Sequence, residues 1–268
     1  MGNGDTDLHD AEIARLDDLI ATLEAADDLD TAVHATRKGV KRLRAHLRLS
    51  KTVIDADVYR AEDADLSVIG RALAPARDAF VLSQTLESLE SSDGWGSAAR
   101  SIEAHHRTAI ADLRHGPLEQ AIDRLRTVRA RWLDLPKRPD PAAVRDGIMR
   151  SYRKGAATET TAATGHAEAF HRWRKQVKYL RYQLEATGGD PAVTEALLEL
   201  GETLGVEHDH SVFIDFVDDN IDMLPDRRDR YVLIDRAEAR REQLRALALS
   251  TDVYGGSPDD FVEAASAA

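Results

Sequence analysis

The chain has 268 residues, no cysteine and a formal charge of −12. This length can bury one large core or two small ones, and the lack of cysteine excludes disulfides and thiolate metal sites. No apolar stretch approaches the roughly 20 residues that a transmembrane helix needs, and the polar residues 1–10 lack a signal-peptide hydrophobic segment. We therefore expect a cytoplasmic protein that binds no membrane.

The hydrophobic pattern is helical nearly throughout, with no run of period-two alternation, which predicts an all-α fold. Asp30-Thr31 can cap a helix, Pro117 and Pro141 can occupy first turns, and Gly188 to Pro191 separates two helices. The irregular composition of residues 250–268 predicts a tail without regular structure. The predicted helices are residues 7–26, 31–55, 58–91, 96–114, 117–135, 141–159, 163–187, 191–220 and 226–249.

Two of these helices carry the same motif. Residues 34–44 have the pattern H-x-x-R-K-x-x-K-R-L-R, and residues 171–181 have H-x-x-R-K-x-x-K-Y-L-R. At 100° per residue, the basic side chains of each motif gather on one side of the helix. The apolar residues, among them Leu43 in the first copy and Trp173 in the second, lie on another side. The basic set is His34, Arg37, Lys38, Lys41, Arg44 and Arg48 in the first copy, and His171, Arg174, Lys175, Lys178 and Arg181 in the second.

The cations of these helices are segregated from acids. Residues 31–54 hold seven Lys/Arg and residues 170–184 hold five, and neither segment contains Asp or Glu. The rest of the chain has 24 Lys/Arg against 48 Asp/Glu. Like charges four residues apart on a helix repel each other, so each row needs an anionic ligand or acids from other helices. The ordinary alternative is a solvated face paired with neighbouring carboxylates. We judge the repetition of the pattern to favour a ligand.

The repeat continues beyond the motifs. Arg77-Asp78 and His208-Asp209 follow their respective motifs at nearly the same distance, which indicates two similar helical halves, residues 6–136 and 140–249. Long helices with short connections are typical of antiparallel bundles. Each Asp can orient a motif cation while Arg77 and His208 face the ligand, although plain surface positions are an equal alternative. Arg42 points away from its row and is expected in a salt bridge.

Phosphate is the anion that these donors fit. Guanidinium groups bind its oxygens through two parallel hydrogen bonds, ammonium groups act as point charges, and imidazoles supply pH-sensitive hydrogen bonds. From His34 to Arg48 the row spans about 21 Å at 1.5 Å per residue. Such a row fits a linear anion with several phosphates better than a small one.

The paired motifs, each followed by an Arg-Asp or His-Asp step, resemble the CHAD (conserved histidine α-helical domain) family over about residues 6–249. The resemblance implies a single domain of two pseudo-symmetric antiparallel helical bundles, with a basic cavity between them that binds inorganic polyphosphate without catalysis or a cofactor. Members are often fused to a triphosphatase domain whose strands alternate Glu and Lys. No such segment occurs here, so the resemblance carries no hydrolase activity.

The resemblance also assigns binding residues, and association with polyphosphate granules is a further expectation. His208 stands where the first half has Arg77, and Tyr179 stands where it has Arg42, so the second half is expected to bind less tightly. The residues implied by the resemblance are His34, Arg37, Lys38, Lys41, Arg44, His171, Arg174, Lys175, Lys178 and Arg181. The helical row adds Arg48, and the two Asp-containing steps add Arg77 and His208.

Two other functions stay open at this point. A nucleic-acid binder would use the same phosphate chemistry, but it would normally add stacking aromatics, and aromatic residues are only 5% of this chain. A metal-dependent helical-bundle enzyme is the second alternative. Glu103-x-x-His106 and Glu168-x-x-His171 match the spacing of di-iron sites, but cations beside His171 would repel a divalent metal.

Overall fold

The computed structural model describes residues 8–89, 95–135, 141–224 and 226–265, and every regular element in these ranges is an α-helix. This confirms the all-α prediction. In chain order the helices are α1 (Leu8–Glu24), α2 (Leu29–Leu47), α3 (Ala56–Ala72), α4 (Ala74–Ser88), α5 (Gly96–Arg114), α6 (Pro117–Trp132), α7 (Pro141–Ala162), α8 (Ala167–Thr187), α9 (Pro191–Asp219), α10 (Arg227–Leu249) and α11 (Pro258–Ala265).

One apolar core lies within each half of the chain. In the first half, α1, α2, α3 and α6 bury leucine-rich faces around Leu16, Leu43 and Trp132. In the second half, α7, α8, the beginning of α9, the end of α10 and α11 pack around Trp173 and Leu200. Leu43 and Trp173 belong to the apolar sides predicted for the two motif helices, and both are fully buried. The motif helices are therefore anchored by one side.

A third core joins the two halves. It combines α4 and α5 with the end of α9 and the beginning of α10, and Leu82, Ile102, Phe213 and Leu233 are buried in it. The arrangement therefore differs from two bundles with separate cores, because helices from both halves share this cluster. Apolar faces on α4 and α5 that the first core leaves uncovered are buried here.

The motif helices α2 and α8 also contact each other directly. The His46 Nε2 atom lies 3.2 Å from the carbonyl oxygen of Tyr182, and Gln183 donates a hydrogen bond of 3.0 Å to the carbonyl of Ala45. Arg42 forms a salt bridge of 3.2 Å with Glu185 of α8, which confirms its predicted role between helices. The two basic rows are thus held in a fixed relation to each other.

Three predicted helix boundaries were wrong. The helix predicted for residues 58–91 is two helices, because Pro75 has no N–H for the carbonyl of Arg71 and the chain breaks at Leu73. The cap expected at Asp30-Thr31 lies at Asp28, whose side chain accepts from both of their N–H groups, so α2 begins at Leu29. The same helix ends at Leu47 rather than at residue 55, in a turn that includes Leu49, which is buried in the second core.

The tail predicted to be irregular contains α11. Its start is fixed by Ser257, whose hydroxyl accepts from the Asp260 N–H and donates to the Asp260 carboxylate, with Pro258 in the first turn. This reciprocal arrangement resembles a capping box. Val262 and Ala265 are buried in the second core. The helix persists because this core gives its short apolar side a place to pack.

The connection before α11 packs closely on α7, and Gly155 makes this possible. A Cβ atom at Gly155 would lie 2.4 Å from the Tyr254 ring, and that ring packs against Tyr152 at a centroid distance of 5.2 Å. We expect Gly155→Ala to destabilise the protein by about 1–3 kcal/mol, because the ring has to move. Urea unfolding measures this change.

Gly70→Ala is the matched control. A Cβ atom at this α3 position meets nothing within 4 Å, and alanine is the better helix former, so the control is expected to stabilise the protein by about 0.5–1 kcal/mol. A Gly155→Ala variant as stable as the wild type would contradict the packing described for Tyr254.

None of the helices in the described residues is long and apolar enough to cross a membrane.

Candidate functional site

The first basic row comes from the N-terminal two-thirds of α2. Val40 and Leu43 are buried in the first core, and this turns His34, Arg37, Lys38 and Lys41 toward the neighbouring helices α4, α8 and α9. Arg37 donates a hydrogen bond from Nη1 to the carbonyl of Gly70, close to the break between α3 and α4. The break therefore supplies a free carbonyl that holds one of the predicted binding side chains.

The second row comes from α8. Trp173 and Val177 are buried in the second core, and Arg174, Lys178 and Arg181 face the first row. Arg174 is half-buried, yet its Nε has no hydrogen-bond partner within the part of the chain that the structure describes. A buried donor without a partner costs stability, and a ligand oxygen that reached this atom would offset that cost.

The Arg-Asp and His-Asp steps supply a third wall. Arg77 and Asp78 lie on α4, and His208 and Asp209 lie on α9, and all four line the same space as the two rows. The sequence left open whether Arg77 and His208 lie on the surface or near the site. The structure places them at the site, beside the motif cations.

Together these side chains enclose a space of about 450 Å³, which we call the central cavity. Part of its wall is apolar and is formed by Val81, Leu198, Val206 and Val212. Gly201 and Gly205 leave room on α9. Its charged and polar lining is His34, Arg37, Lys38, Lys41, Arg77, Asp78, Arg174, Lys178, Arg181, Tyr182, Glu202, His208 and Asp209. Seven Lys/Arg side chains thus face three carboxylates.

The crowding of cations shifts the pKa of both deep lysines. Burial, together with the charges of Arg174 and Arg37, lowers the pKa of Lys41 to about 7. Burial, together with Arg174 and Lys41, lowers the pKa of Lys178 to about 6. Asp209 opposes both shifts but does not cancel them. These lysines therefore titrate near neutral pH, where unperturbed lysines are fully charged.

The two carboxylates in the third wall are also perturbed. Burial raises the pKa of Asp78, although Arg37 and Lys41 oppose the change. Burial likewise raises the pKa of Asp209 against the opposing charges of Arg174 and Arg77. Neither carboxylate makes a hydrogen bond to a motif cation at normal distance in the described residues, so their influence on the rows is electrostatic rather than a direct orienting contact.

The sequence predicts that the histidines are the pH-sensitive groups, but the pKa values of His171 and His208 lie well below neutral pH. Burial and the charges of Lys175 and Arg174 lower the pKa of His171 to about 4. Burial and Arg174 lower that of His208 to about 3. The two rings stack at 4.4 Å, with their Nδ1 atoms 3.3 Å apart. At neutral pH both are uncharged, and they act as neutral hydrogen-bonding groups.

Nine of the thirteen predicted binding residues line the central cavity, and four do not. His171 lies behind His208, and Lys175 is exposed on the adjacent side of α8. Arg44 forms a bidentate pair with Asp63 at 2.9 and 3.1 Å, and Arg48 approaches the same carboxylate at 3.3 Å. The carboxylate that binds the two arginines, Asp63, lies on α3, which ends just before the break at Leu73.

Sequence reasoning missed several cavity residues. Glu202 and the glycines at 201 and 205 carry no motif, and only the packing of α9 brings them to the site. Tyr182 was expected in the core or at a rim. It is 3% exposed, and its ring lies between the guanidinium groups of Arg42 and Arg181, at 5.2 and 4.6 Å. The i, i+4 spacing of the glycines on α9 is a signal that could have indicated a close approach.

Comparison with known proteins identifies the family. The profile described as the CHAD domain matches residues 13–192, which is more than half of the chain. The chain belongs to the CHAD domain family. This family is associated with polyphosphate, and the resemblance seen in the sequence motifs is confirmed.

Two solved structures resemble this CHAD protein over nearly its whole length. The crystal structure of the CHAD domain from the plant Ricinus communis matches with a TM-score of 0.64 and 20% sequence identity, covering 96% of this chain and 88% of that one. PptA from Streptomyces chartreusis matches with a TM-score of 0.64 and 18% identity, covering 91% and 96%. At these identities the likeness shows the fold. No curated protein matches the sequence.

Proposed function

We propose that this CHAD protein binds inorganic polyphosphate in the central cavity without catalysing a reaction on it. The observation that carries the proposal is the lining of the cavity, in which seven Lys/Arg side chains and two histidines face three carboxylates. The chain as a whole has a net charge of −12, so this local excess of cations is opposite in sign to the charge of the whole protein. A polyanion is the ligand that relieves the repulsion between these groups.

The side chains of the cavity differ in what they offer a phosphate chain. Arg77 and Arg174 present guanidinium groups suited to two oxygens of one phosphate, whereas Lys41 and Lys178 act as compact charges at depth. Neutral His34 and His208 supply single hydrogen bonds. The part of α2 that lines the cavity, from His34 to Lys41, spans about 10 Å. The proposed cavity site is therefore shorter than the row that the sequence predicts.

We also propose that the two halves are related by pseudo-twofold symmetry with the cavity between them. The support is that the motif helices α2 and α8 and the two Asp residues, Asp78 on α4 and Asp209 on α9, all contribute to the lining of the cavity. The third core takes helices from both halves. The symmetry is broken at Leu73, because the long α9 corresponds to the pair α3 and α4.

Nucleic acid is the first alternative ligand. Within the part of the chain that the structure describes, Tyr182 is the only Phe, Tyr or Trp in the cavity lining, and its buried ring is in contact with two arginines rather than open to a base. Recognition of single-stranded nucleic acid normally uses stacking on open rings. The acidic surface outside the cavity also repels a large duplex. These features favour a polymer of phosphate without bases.

A metal-dependent enzyme is the second alternative. No group of three or more His, Cys, Asp or Glu side chains is placed to hold a metal ion in the ranges that the structure describes. Of the two matching pairs, Glu103 contacts Arg107 while His106 contacts Asp30, so the first pair does not converge. Metal analysis of the purified protein, with iron or manganese at stoichiometric level, would revive this alternative.

A competition titration tests the proposed function. The protein is loaded with a labelled long-chain polyphosphate at physiological salt, and unlabelled polyphosphate, triphosphate, single-stranded DNA and heparin are added separately. We expect unlabelled polyphosphate to displace the label at far lower phosphate concentration than DNA. Log affinity should fall against log salt with a slope of about −4, as for six contacts on a flexible polyanion.

Two results would contradict the proposal. One is displacement by DNA or heparin at the same charge concentration as by polyphosphate. The other is an affinity that does not change with salt. Localisation in the cytoplasm and association with polyphosphate granules stay predictions, which imaging of the tagged protein in its host can test.

A further inference from the structure

Outside the central cavity, a second group of cations lies where the C-terminal end of α2 meets α3, α7 and α8. Arg48 places its guanidinium 4.1 Å from the centre of the Tyr179 ring on α8. Lys175 lies one turn before Tyr179 on the same helix. Arg150 of α7 donates to the carbonyl of Arg48 at 3.4 Å. We call this group the lateral strip, and its cations are Arg44, Arg48, Lys51, Arg150 and Lys175.

The lateral strip has an excess of positive charge. Asp63 pairs with both Arg44 and Arg48, and the charge of Glu168 acts on Lys175, so two carboxylates face five cations. Lys51 extends over the ring of Tyr59 at 5.5 Å from its centre. Lys51 and Lys175 are exposed, and Arg48 and Arg150 are partly exposed. These charges are open to a ligand from solvent.

The strip is continuous with the central cavity. Arg44 follows Lys41 by one helical turn on α2, and Lys175 is next to Arg174 on α8. His171 lies between the two regions, because charges from both Lys175 and Lys41 lower its pKa. The pKa of Lys175 is lowered in turn by burial and by the charges of Arg44 and Arg174. A linear anion that fills the cavity therefore meets cations of both motif helices where it approaches the strip, and Glu168 is the carboxylate whose charge also acts on His171 and Lys175 there.

The opposite end of the cavity is different. Arg181 lies 3.3 Å from Glu185, and Arg42 is 3.2 Å from the same residue. Arg15 is close enough to Glu12, Asp18 and Glu185 for their charges to raise its pKa, although burial and Arg42 lower it overall. Three arginines thus face three carboxylates, and this end is close to neutral. The excess of cations beside the cavity therefore lies on the side of the lateral strip.

We propose that a long phosphate chain bound in the central cavity leaves it over the lateral strip, which forms a second binding site for the same chain. This inference rests on the proposed function of the cavity. Short chains occupy the cavity alone, whereas longer ones also contact the strip. The rings of the strip do not favour a nucleic acid, because Tyr179 is 9% exposed and covered by Arg48. Preference for long chains then arises from the strip.

The test compares affinities for triphosphate and for a long-chain polyphosphate. Lys51→Gln/Arg150→Gln removes two charges from the strip. We expect this variant to bind the long chain about tenfold more weakly, as two exposed contacts of under 1 kcal/mol each are lost. Its affinity for triphosphate should change by less than about twofold. The ratio of the two affinities therefore falls.

Arg126→Gln/Arg240→Gln is the matched control, because it removes the same charge at exposed positions on α6 and α10, outside both the cavity and the strip. It should leave the ratio of long-chain to triphosphate affinity as in the wild type, and thermal unfolding shows whether each variant is folded. An unchanged ratio in Lys51→Gln/Arg150→Gln, or an equal fall in the control, would overturn the inference while leaving the cavity as the binding site. A wild-type protein that binds neither chain overturns the proposed function, and the inference with it.

Discussion

Replacing Lys41 and Lys178 together by glutamate is expected to abolish polyphosphate binding. Both ammonium groups lie deep in the central cavity, within the influence of each other and of Arg174. Two carboxylates in their place would face the anion directly, and each such like-charge contact costs several kcal/mol. We expect affinity to fall by more than about a hundredfold, as measured by titration with a labelled long chain at physiological salt.

A charge-matched control separates this effect from the overall charge. Arg126→Glu/Arg240→Glu changes the net charge by the same amount on α6 and α10, at exposed positions outside the cavity. This control should bind polyphosphate within about twofold of the wild type, since exposed charges far from the site are screened. Far-ultraviolet circular dichroism, which measures helical content, checks that the variants are folded. Tight binding by the Lys41→Glu/Lys178→Glu protein would place the site elsewhere.

Binding of polyphosphate is also expected to take up protons near neutral pH. In the protein alone the pKa of Lys41 is about 7 and that of Lys178 about 6. Bound phosphate oxygens favour the charged ammonium forms, so both pKa values rise in the complex. The protein with ligand then holds about one to two protons more than the free components at slightly alkaline pH.

The direction of the pH dependence follows from this difference. Below the free pKa values both lysines are already charged, and affinity is at its strongest. As pH rises beyond about 7, binding has to protonate them, so affinity should fall by up to about tenfold per pH unit for each proton taken up. The groups that face these lysines are Arg37, Arg77, Arg174, Arg181, Asp78, Asp209, His34 and His208. Of these, Asp78 and Asp209 have raised pKa values. At lower pH a bound polyanion would favour their protonated forms, so they too would take up protons on binding.

Calorimetry in buffers with different heats of ionisation measures the proton uptake directly. Lys41→Arg/Lys178→Arg is the informative variant, because arginine stays charged throughout this range. It should keep the affinity for polyphosphate while flattening its pH dependence between about pH 6 and pH 9. A wild-type affinity that is constant over this range, with no buffer-dependent heat, would contradict the electrostatics described for the cavity.

The sequence was sufficient to predict the all-α fold and the apolar sides of the two motif helices. Both predictions depend on local periodicity. Because Leu43 and Trp173 are buried on the apolar sides, the basic side chains have to lie on the other sides of their helices. Helix breaks were harder. Pro75 was visible in the sequence, but the apolar pattern continues on both sides of it, and whether a proline kinks or divides a helix depends on packing.

Contacts between distant helices were beyond the reach of the sequence. The pairing of Arg44 with Asp63 and the joint core of α4, α5, α9 and α10 depend on how the helices are placed in space. The histidines show the same limit, because their pKa is set by burial and by cations from three helices. Their spacing predicts a pH-sensitive site, but the physical environment gives that property to Lys41 and Lys178.

The third core also bears on how the cavity meets its ligand. The cations on the two halves repel each other, and the three carboxylates of the cavity lining offset this repulsion only in part. Phe213 and Leu233 are fully buried where the halves meet, so separation would expose apolar surface to water. Apolar packing in the third core, outside the cavity, therefore keeps the cations of the two halves at a fixed spacing. A receptor already preorganised in this way binds without first having to order its own walls.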